Sequence, residues 1–332
     1  MRQRLCPGLQ GLQVLNPLCS NKKTAYWSKK VLTSRERLLK TLRGELPDCV
    51  PVAPDFSNMI PARLTGKPFW DLYLYNDPPI HEAYIACAKH FDIDSLMDGY
   101  FQVDLPELRP ANALPRETFI VFRDEDRIVT QASWMDNGKR NWAKTVNVYY
   151  RADPPSWGVL PEKINLPEIP GRWEPVEGAK QVDRSPEGFN KVKQMLGNQG
   201  LIGLFVTSSC ALGNEADIFN YYDHPELHEK WAEERVEQAE RKFRAIMAME
   251  TKPDFLCVGG SGTLVFQTVE IFRQLALPAV KRVIELATAA GMPTHIHSCG
   301  PERELVEIMA EETSLTVIDP LEIAPMGNCD LA

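Results

Sequence analysis

The sequence predicts an α/β fold built on parallel strands, and three observations carry that prediction. From about residue 200 onward, short apolar runs alternate with helix-length amphipathic segments, the pattern of repeated βα units. One of those runs ends in Gly259-Gly260-Ser261-Gly262-Thr263, which suits a tight strand-to-helix turn. The length of 332 residues, with 44% hydrophobic and 25% charged side chains, is enough to bury the core of one large α/β domain. Spacing alone leaves a doubly wound sheet and a (β/α) barrel both open.

Taken in order, Thr33 with Glu36 three residues on forms a capping box, and the helix it opens carries Leu38, Leu39 and Leu42 before closing at Gly44. Cys49 to Ala53 reads as a short strand. A second strand is expected near Phe91 to Leu96, where Ile93 and Leu96 are interleaved with Asp92 and Asp94. Thr118 to Ser133 alternates in two runs around Arg123-Asp124-Glu125-Asp126, a β-hairpin pattern. Six prolines fall between Pro154 and Pro175, together with Trp157 and Trp173; no regular helix tolerates them, so residues 154–175 read as an ordered excursion or lid. Leu201 to Val206 is a buried strand, and Asp223-His224-Pro225 opens a long helix with Leu227, Trp231, Ala239, Phe243 and Ile246 near one face. Tyr221, Tyr222 and Trp231 read as packing residues. Phe255 to Val258 is the next strand. The helix after it is interrupted at Pro278 and stopped by Gly291. A strand at Pro293 to His297, a helix from Pro301 to about Glu312 and a strand at Leu315 to Ile318 complete the series.

Charge and composition exclude several classes. Against a net charge of −8, residues 1–30 carry six basic side chains and no acid, which leaves −14 for the rest. An acidic body disfavours nucleic acid or an anionic membrane surface as the main partner. The basic start lacks the apolar run of a signal peptide and reads as a disordered extension. No stretch reaches the roughly 18–20 apolar residues of a membrane span, and mean hydropathy is −0.28. Eight dispersed cysteines without a CxxC pair read as reduced thiols in a cytoplasmic compartment.

The sharpest chemical feature is Thr294-His295-Ile296-His297-Ser298-Cys299-Gly300-Pro301. In a strand, residues 295, 297 and 299 share one face, so two imidazoles and a thiol project together at a strand's C-terminal end, where barrel enzymes build their sites. A helix opening at Pro301 would favour a thiolate at Cys299. Imidazole nitrogen with thiolate sulfur is a strong zinc-binding combination. The glycine turn matches neither a dinucleotide fingerprint, because Val265 stands where a small residue is needed, nor a Walker A loop. Its role is a structural bend or a substrate or anion contact through its amides. Ser208, Ser209 and Cys210 follow the Leu201 strand and line the same mouth. Asp92 and Asp94 read as turn or salt-bridge residues before substrate contacts.

These residues carry a family resemblance. Pro253-Asp254-Phe255 through Thr263, the helix from Gln267, His295 to Gly300, Asp319-Pro320-Leu321-Glu322 and Pro325-Met326-Gly327 resemble the uroporphyrinogen decarboxylase superfamily, most of all its cobalamin-dependent methyltransferase branch. The resemblance is specific over roughly residues 200–332 and diffuse over 33–150. It implies a (β/α)8 TIM barrel over residues 31–332. Because the chain stops at Ala332 with about seven strands counted, that barrel is expected to lack its last βα unit.

By the same resemblance, a His-x-Cys motif binds zinc, which assists methyl transfer between a corrinoid carried by a partner protein and a small acceptor or donor. His297 and Cys299 take the metal-ligand roles. The family's remaining cysteine ligand is expected near the eighth strand, and Cys329 is the nearest substitute, or else a loop thiol. Glu322 and His295 are the candidate catalytic groups, Glu322 also as an oxygen ligand or capping carboxylate and His295 also as a group that orients His297. Asp55, Ser261 and Ser209 are the candidate substrate contacts. The decarboxylase branch grips its tetrapyrrole through an Arg-Gln-Ala-Gly-Arg motif after the first strand. This chain has Asp55 to Arg63 there, with a single arginine, so porphyrin decarboxylation is the alternative activity. A non-catalytic binding barrel is the third reading.

Overall fold

A computed structural model describes residues 31–330 apart from 57, 58, 111 and 214. The basic extension expected over residues 1–30 lies outside the described residues. The chain forms helices α1 (Ser34–Leu42), α2 (Met59–Leu64), α3 (Phe69–Tyr73) and α4 (Ile80–Phe91), then strand β1 (Ser95–Met97). An antiparallel run follows: β2 (Arg116–Arg123), β3 (Arg127–Asp136), β4 (Lys139–Tyr150), β5 (Ser156–Val159) and β6 (Glu174–Pro175). The second half alternates α5 (Pro186–Leu196), β7 (Gly200–Phe205), α6 (Glu215–Asp223), α7 (His228–Ala248) and β8 (Phe255–Cys257). The single turns α8 (Thr263–Phe266) and α9 (Val269–Ile271) lead into α10 (Leu277–Ala289), β9 (Thr294–His297), α11 (Arg303–Glu312) and β10 (Val317–Asp319).

Two sheets result. The first is parallel in the order β1-β7-β8-β9-β10, so each strand neighbours the next of its series. Right-handed crossovers repeated in one direction keep the helices on a single face and curl the sheet into half of a barrel. Its outer face carries Met97, Ile202, Leu204, Leu256 and Ile296, which form the main core with side chains of α4, α5, α7, α10 and α11. Its inner face carries Leu201, Phe255 and Cys257, packed with Leu38 of α1. Register makes the division strict, because neighbouring side chains on a strand point to opposite faces. On β7, Gly203 stands opposite Phe255; a Cβ there would lie 2.3 Å from the Phe255 ring, so only glycine leaves the ring its place.

α1 closes the N-terminal end of the inner face. The capping box at Thr33 and Glu36 is formed, and Arg35 reaches Asp254 at the foot of β8, where Lys193 also pairs with the carboxylate at 2.8 Å. Arg37 binds Asp48 and Asp94. Asp94 also accepts from the Val52 amide at 2.8 Å, a structural role. Burial raises the Asp254 carboxyl, but the hydrogen bonds from Arg35 and Lys193 outweigh it and hold the group below its usual range.

Several expectations are corrected. Cys49 to Ala53 is not a strand: Pro51 and Pro54 offer no N–H, and the Val52 donor is taken by Asp94. Helix α4 continues to Phe91 and ends on left-handed Asp92, so the strand starts at Ser95. The expected hairpin is present, but it belongs to a five-stranded antiparallel sheet in the order β5-β4-β3-β2-β6. The 154–175 excursion supplies both edges of that sheet, β5 on β4 and β6 on β2. A π-helical turn at Phe272–Ala276 precedes α10, with Pro278 in the first turn of that helix, where its missing N–H costs no bond. Five parallel strands stand among the described residues, where the sequence count gave about seven. No helix among the described residues is long and apolar enough to cross a membrane.

Candidate metal centre

β9 and β10 build the C-terminal rim of the inner face. Cys257 stands opposite His295, Val317 opposite His295, and Asp319 opposite His297. Period two therefore places Cys257, His295, His297 and Asp319 on one side of the sheet. Asp319 accepts from both imidazoles, at 3.0 Å from His295 Nε2 and 2.8 Å from His297 Nδ1. The second nitrogen of His297, Nε2, lies 3.2 Å from Cys299 Sγ. Two donors sharing a tetrahedral zinc would stand about 3.5 Å apart, so this pair fits one edge of such a site. A histidine whose other ring nitrogen is tied to a carboxylate is the arrangement that fixes a ligating tautomer.

A second donor group lies on the same face. Asp98, Cys257 and His295 bring one oxygen, one sulfur and one nitrogen within 4.8 Å of one another, the one such cluster of three or more among the described residues. His295 is 2% exposed, its ring stands edge-on to Phe255, and its Nδ1 has no hydrogen-bond partner. That orphaned atom is 3.7 Å from Asp98 Oδ2. An unpaired buried ring nitrogen is costly, and the mixed donor set suits zinc.

Electrostatics separate the two carboxylates. Burial raises Asp319, but hydrogen bonds and the charges of His295 and His297 overcome this and hold it far below the usual range. The same contact raises His297 to about 9. Burial pushes the Asp98 carboxyl up, with His295 opposing. Burial, then the charges of Asp98 and Asp319, push the Cys257 thiol well up.

The structure brings some expected residues together and leaves others apart. His295, His297 and Cys299 meet as described. Glu322 sits beside the Cys299 loop with Oε2 accepting from the Gly300 amide at 2.6 Å, a loop contact rather than a helix cap, since the following helix begins at Arg303. Cys329 is half-buried, its amide bonded to the Glu322 carbonyl, and it joins no three-donor cluster with His297 and Cys299. Ser209 is fully buried and tied to Thr263, a link between loops. Ser261 and Asp55 are exposed; Asp55 accepts from Tyr100 at 3.2 Å.

The end of the glycine turn and the helical turn after it spend their amides within the protein. Thr263 N–H donates to Ser298 Oγ at 2.9 Å and Leu264 N–H to the Glu302 carboxylate at 2.9 Å, so the protein itself fills positions that an anion would take. Gly259 passes so close to β9 that a Cβ would meet the backbone nitrogen of His297 at 2.9 Å. The helix after Cys299 begins at Arg303, not Pro301, because Glu302 turns its carboxylate to Leu264. Cys299 is thus held by His297, away from a first helical turn.

Three site residues were not singled out from sequence as donors: Asp98, Cys257 and Asp319. Cys257 and Asp319 each end a legible apolar strand, but which strand lies beside which is the information that makes them neighbours of the histidines. Comparison of the chain with protein-family models, with curated proteins and with solved structures finds no match.

Proposed function

We propose that this chain is a zinc-assisted methyltransferase of the uroporphyrinogen decarboxylase superfamily. It would move a methyl group between a corrinoid on a partner protein and a small acceptor or donor. The reading takes the curled five-stranded sheet as part of a (β/α)8 barrel of that type. The observation that carries it is the His297 Nε2 to Cys299 Sγ approach of 3.2 Å, with His297 Nδ1 tied to Asp319.

The donor types suit zinc in two places. His297 and Cys299 stand at ligand spacing, although Cys329, the third ligand the resemblance implies, does not cluster with them, and Asp98, Cys257 and His295 form the one three-donor group among the described residues. When bound, zinc supplies a charge that keeps a thiol ionised at neutral pH. The protein's own groups do the rest. Asp319 fixes the orientation of both imidazoles, and Glu322 anchors the loop that carries Cys299 through the Gly300 amide. The hydrophobic inner face below, with Leu201 and Phe255, keeps water from approaching from beneath.

The test measures zinc per chain by mass spectrometry, and methyl transfer from methylcobalamin to a small thiol, for the parent chain and Cys299→Ser. Near-stoichiometric zinc is expected in the parent, with loss of zinc and at least a ~100-fold loss of transfer in the variant, the upper range for disturbing a metal site. Transfer that survives both Cys299→Ser and chelation overturns the proposal.

A further inference from the structure

A cavity of about 360 Å³ opens between α4, the loop that follows β1, and β5 of the antiparallel sheet, in the lower part of the size range of small-molecule sites. Tyr100, Phe101 and Trp157 give it an aromatic wall. One polar ring faces this space without a partner. His81 in the first turn of α4 is 6% exposed and meets Phe101 edge-on at 5.3 Å. Neither of its ring nitrogens makes a hydrogen bond among the described residues. A ligand's acceptor in the cavity would give the ring the hydrogen bond it lacks.

At the rim stands Arg184, exposed, its guanidinium free of any hydrogen bond or ion pair among the described residues. No aspartate or glutamate lines the cavity. Asp183, next to Arg184 in the chain, is committed to Ser185 and Lys191, and Asp77, next to Asn76, to Lys67 and Lys180. The cation is therefore not neutralised by the protein. Burial, then the Arg184 charge, lowers His81 to about 4, so the ring is neutral at pH 7 and still offers one N–H.

We infer that this cavity binds a small organic carboxylate with an aromatic or apolar body, its carboxylate on Arg184 and His81 and its body against Tyr100, Phe101 and Trp157. A guanidinium recognises a carboxylate by paired hydrogen bonds, and the tyrosine and tryptophan rings supply a rigid apolar wall. Gly99 and Tyr100 follow Asp98 directly in the chain, which puts the cavity at the C-terminal end of β1. The inference does not depend on methyl transfer, because binding is read without turnover.

The experiment titrates the full chain with phenylacetate in a calorimeter, beside neutral phenylacetamide and inorganic phosphate. Phenylacetate is expected to bind at least about tenfold tighter than either, the factor of one charge-assisted hydrogen bond. Arg184→Ala, a surface change that leaves the core intact, is expected to lose at least that factor. His81→Phe keeps the ring packing against Phe101 and is expected to weaken phenylacetate more than phenylacetamide, because the charged acceptor loses the stronger hydrogen bond. Equal binding of acid and amide, equal binding of phosphate, full affinity in Arg184→Ala, or no heat of binding at millimolar phenylacetate each overturns the inference.

Discussion

Asp319 and Asp48 show how single carboxylates are put to different ends in this molecule. Asp319 serves two imidazoles at once, so one side chain sets the direction of both His295 and His297. Asp48 is structural: hydrogen bonds from Arg37, opposed by burial and helped by the Leu32 and Cys49 amides, hold it at about 2. An unfolded aspartate titrates near 3.9. Its stabilisation is therefore full above that value and is lost as pH falls through about 2, on the order of 2 kcal/mol at most. Urea unfolding at stepped pH should show the parent more stable than Asp48→Asn at pH 5, with the gap closing towards pH 2; a gap independent of pH would refute this. At this scale the sequence was informative where chemistry is local. The His-x-Cys pair and the capping box are both formed as the residues suggested. Asp98 and Cys257 escaped notice because their partners lie on other strands.

Among the elements, β7 shows how a strand makes room for the site. Gly203 faces inward, and the Phe255 ring fills the space its missing side chain leaves. Gly203→Ala should destabilise by about 1–3 kcal/mol, the usual cost of overpacking a filled core, and urea denaturation would measure it. An unchanged midpoint would mean that Phe255 has another rotamer open to it. The parallel strands and the helices between them were legible because each carries its own apolar run. β4 was not read, although Asn137 and Gly138, both at positive φ, are the usual residues of a two-residue hairpin turn. Its first half, from Lys139 to Lys144, is largely polar, which hid the strand. The proline-rich excursion became two edge strands because an edge needs only one side's hydrogen bonds, and prolines can occupy the other.

For the whole molecule, the two sheets have separate cores. The parallel sheet rests on the cluster around Ile202, Leu256 and Ile296, whereas the antiparallel sheet is held to α3 by Leu74, Ile120, Ile128 and Tyr149, joined by Trp70 and Tyr73. A charge at Ile128, which is 6% exposed, should open the second core alone. Ile128→Asp is expected to speed amide hydrogen exchange in β2, β3 and β4 while β7, β8 and β9 keep their protection. Exchange that rises equally in both sheets would show one cooperative unit instead.

The sequence by itself determined the α/β class, the order of the βα units and the His297–Cys299 pair, since these follow from hydrophobic period, turn residues and neighbours a few positions apart. Only the tertiary structure decided that β1 pairs with β7 across a hundred residues, that Cys257 and Asp319 flank His295, and that β5 walls a cavity beside Tyr100. Such contacts depend on strand register and crossover hand, which are fixed when many apolar side chains are buried together and leave no mark on any one segment of the chain.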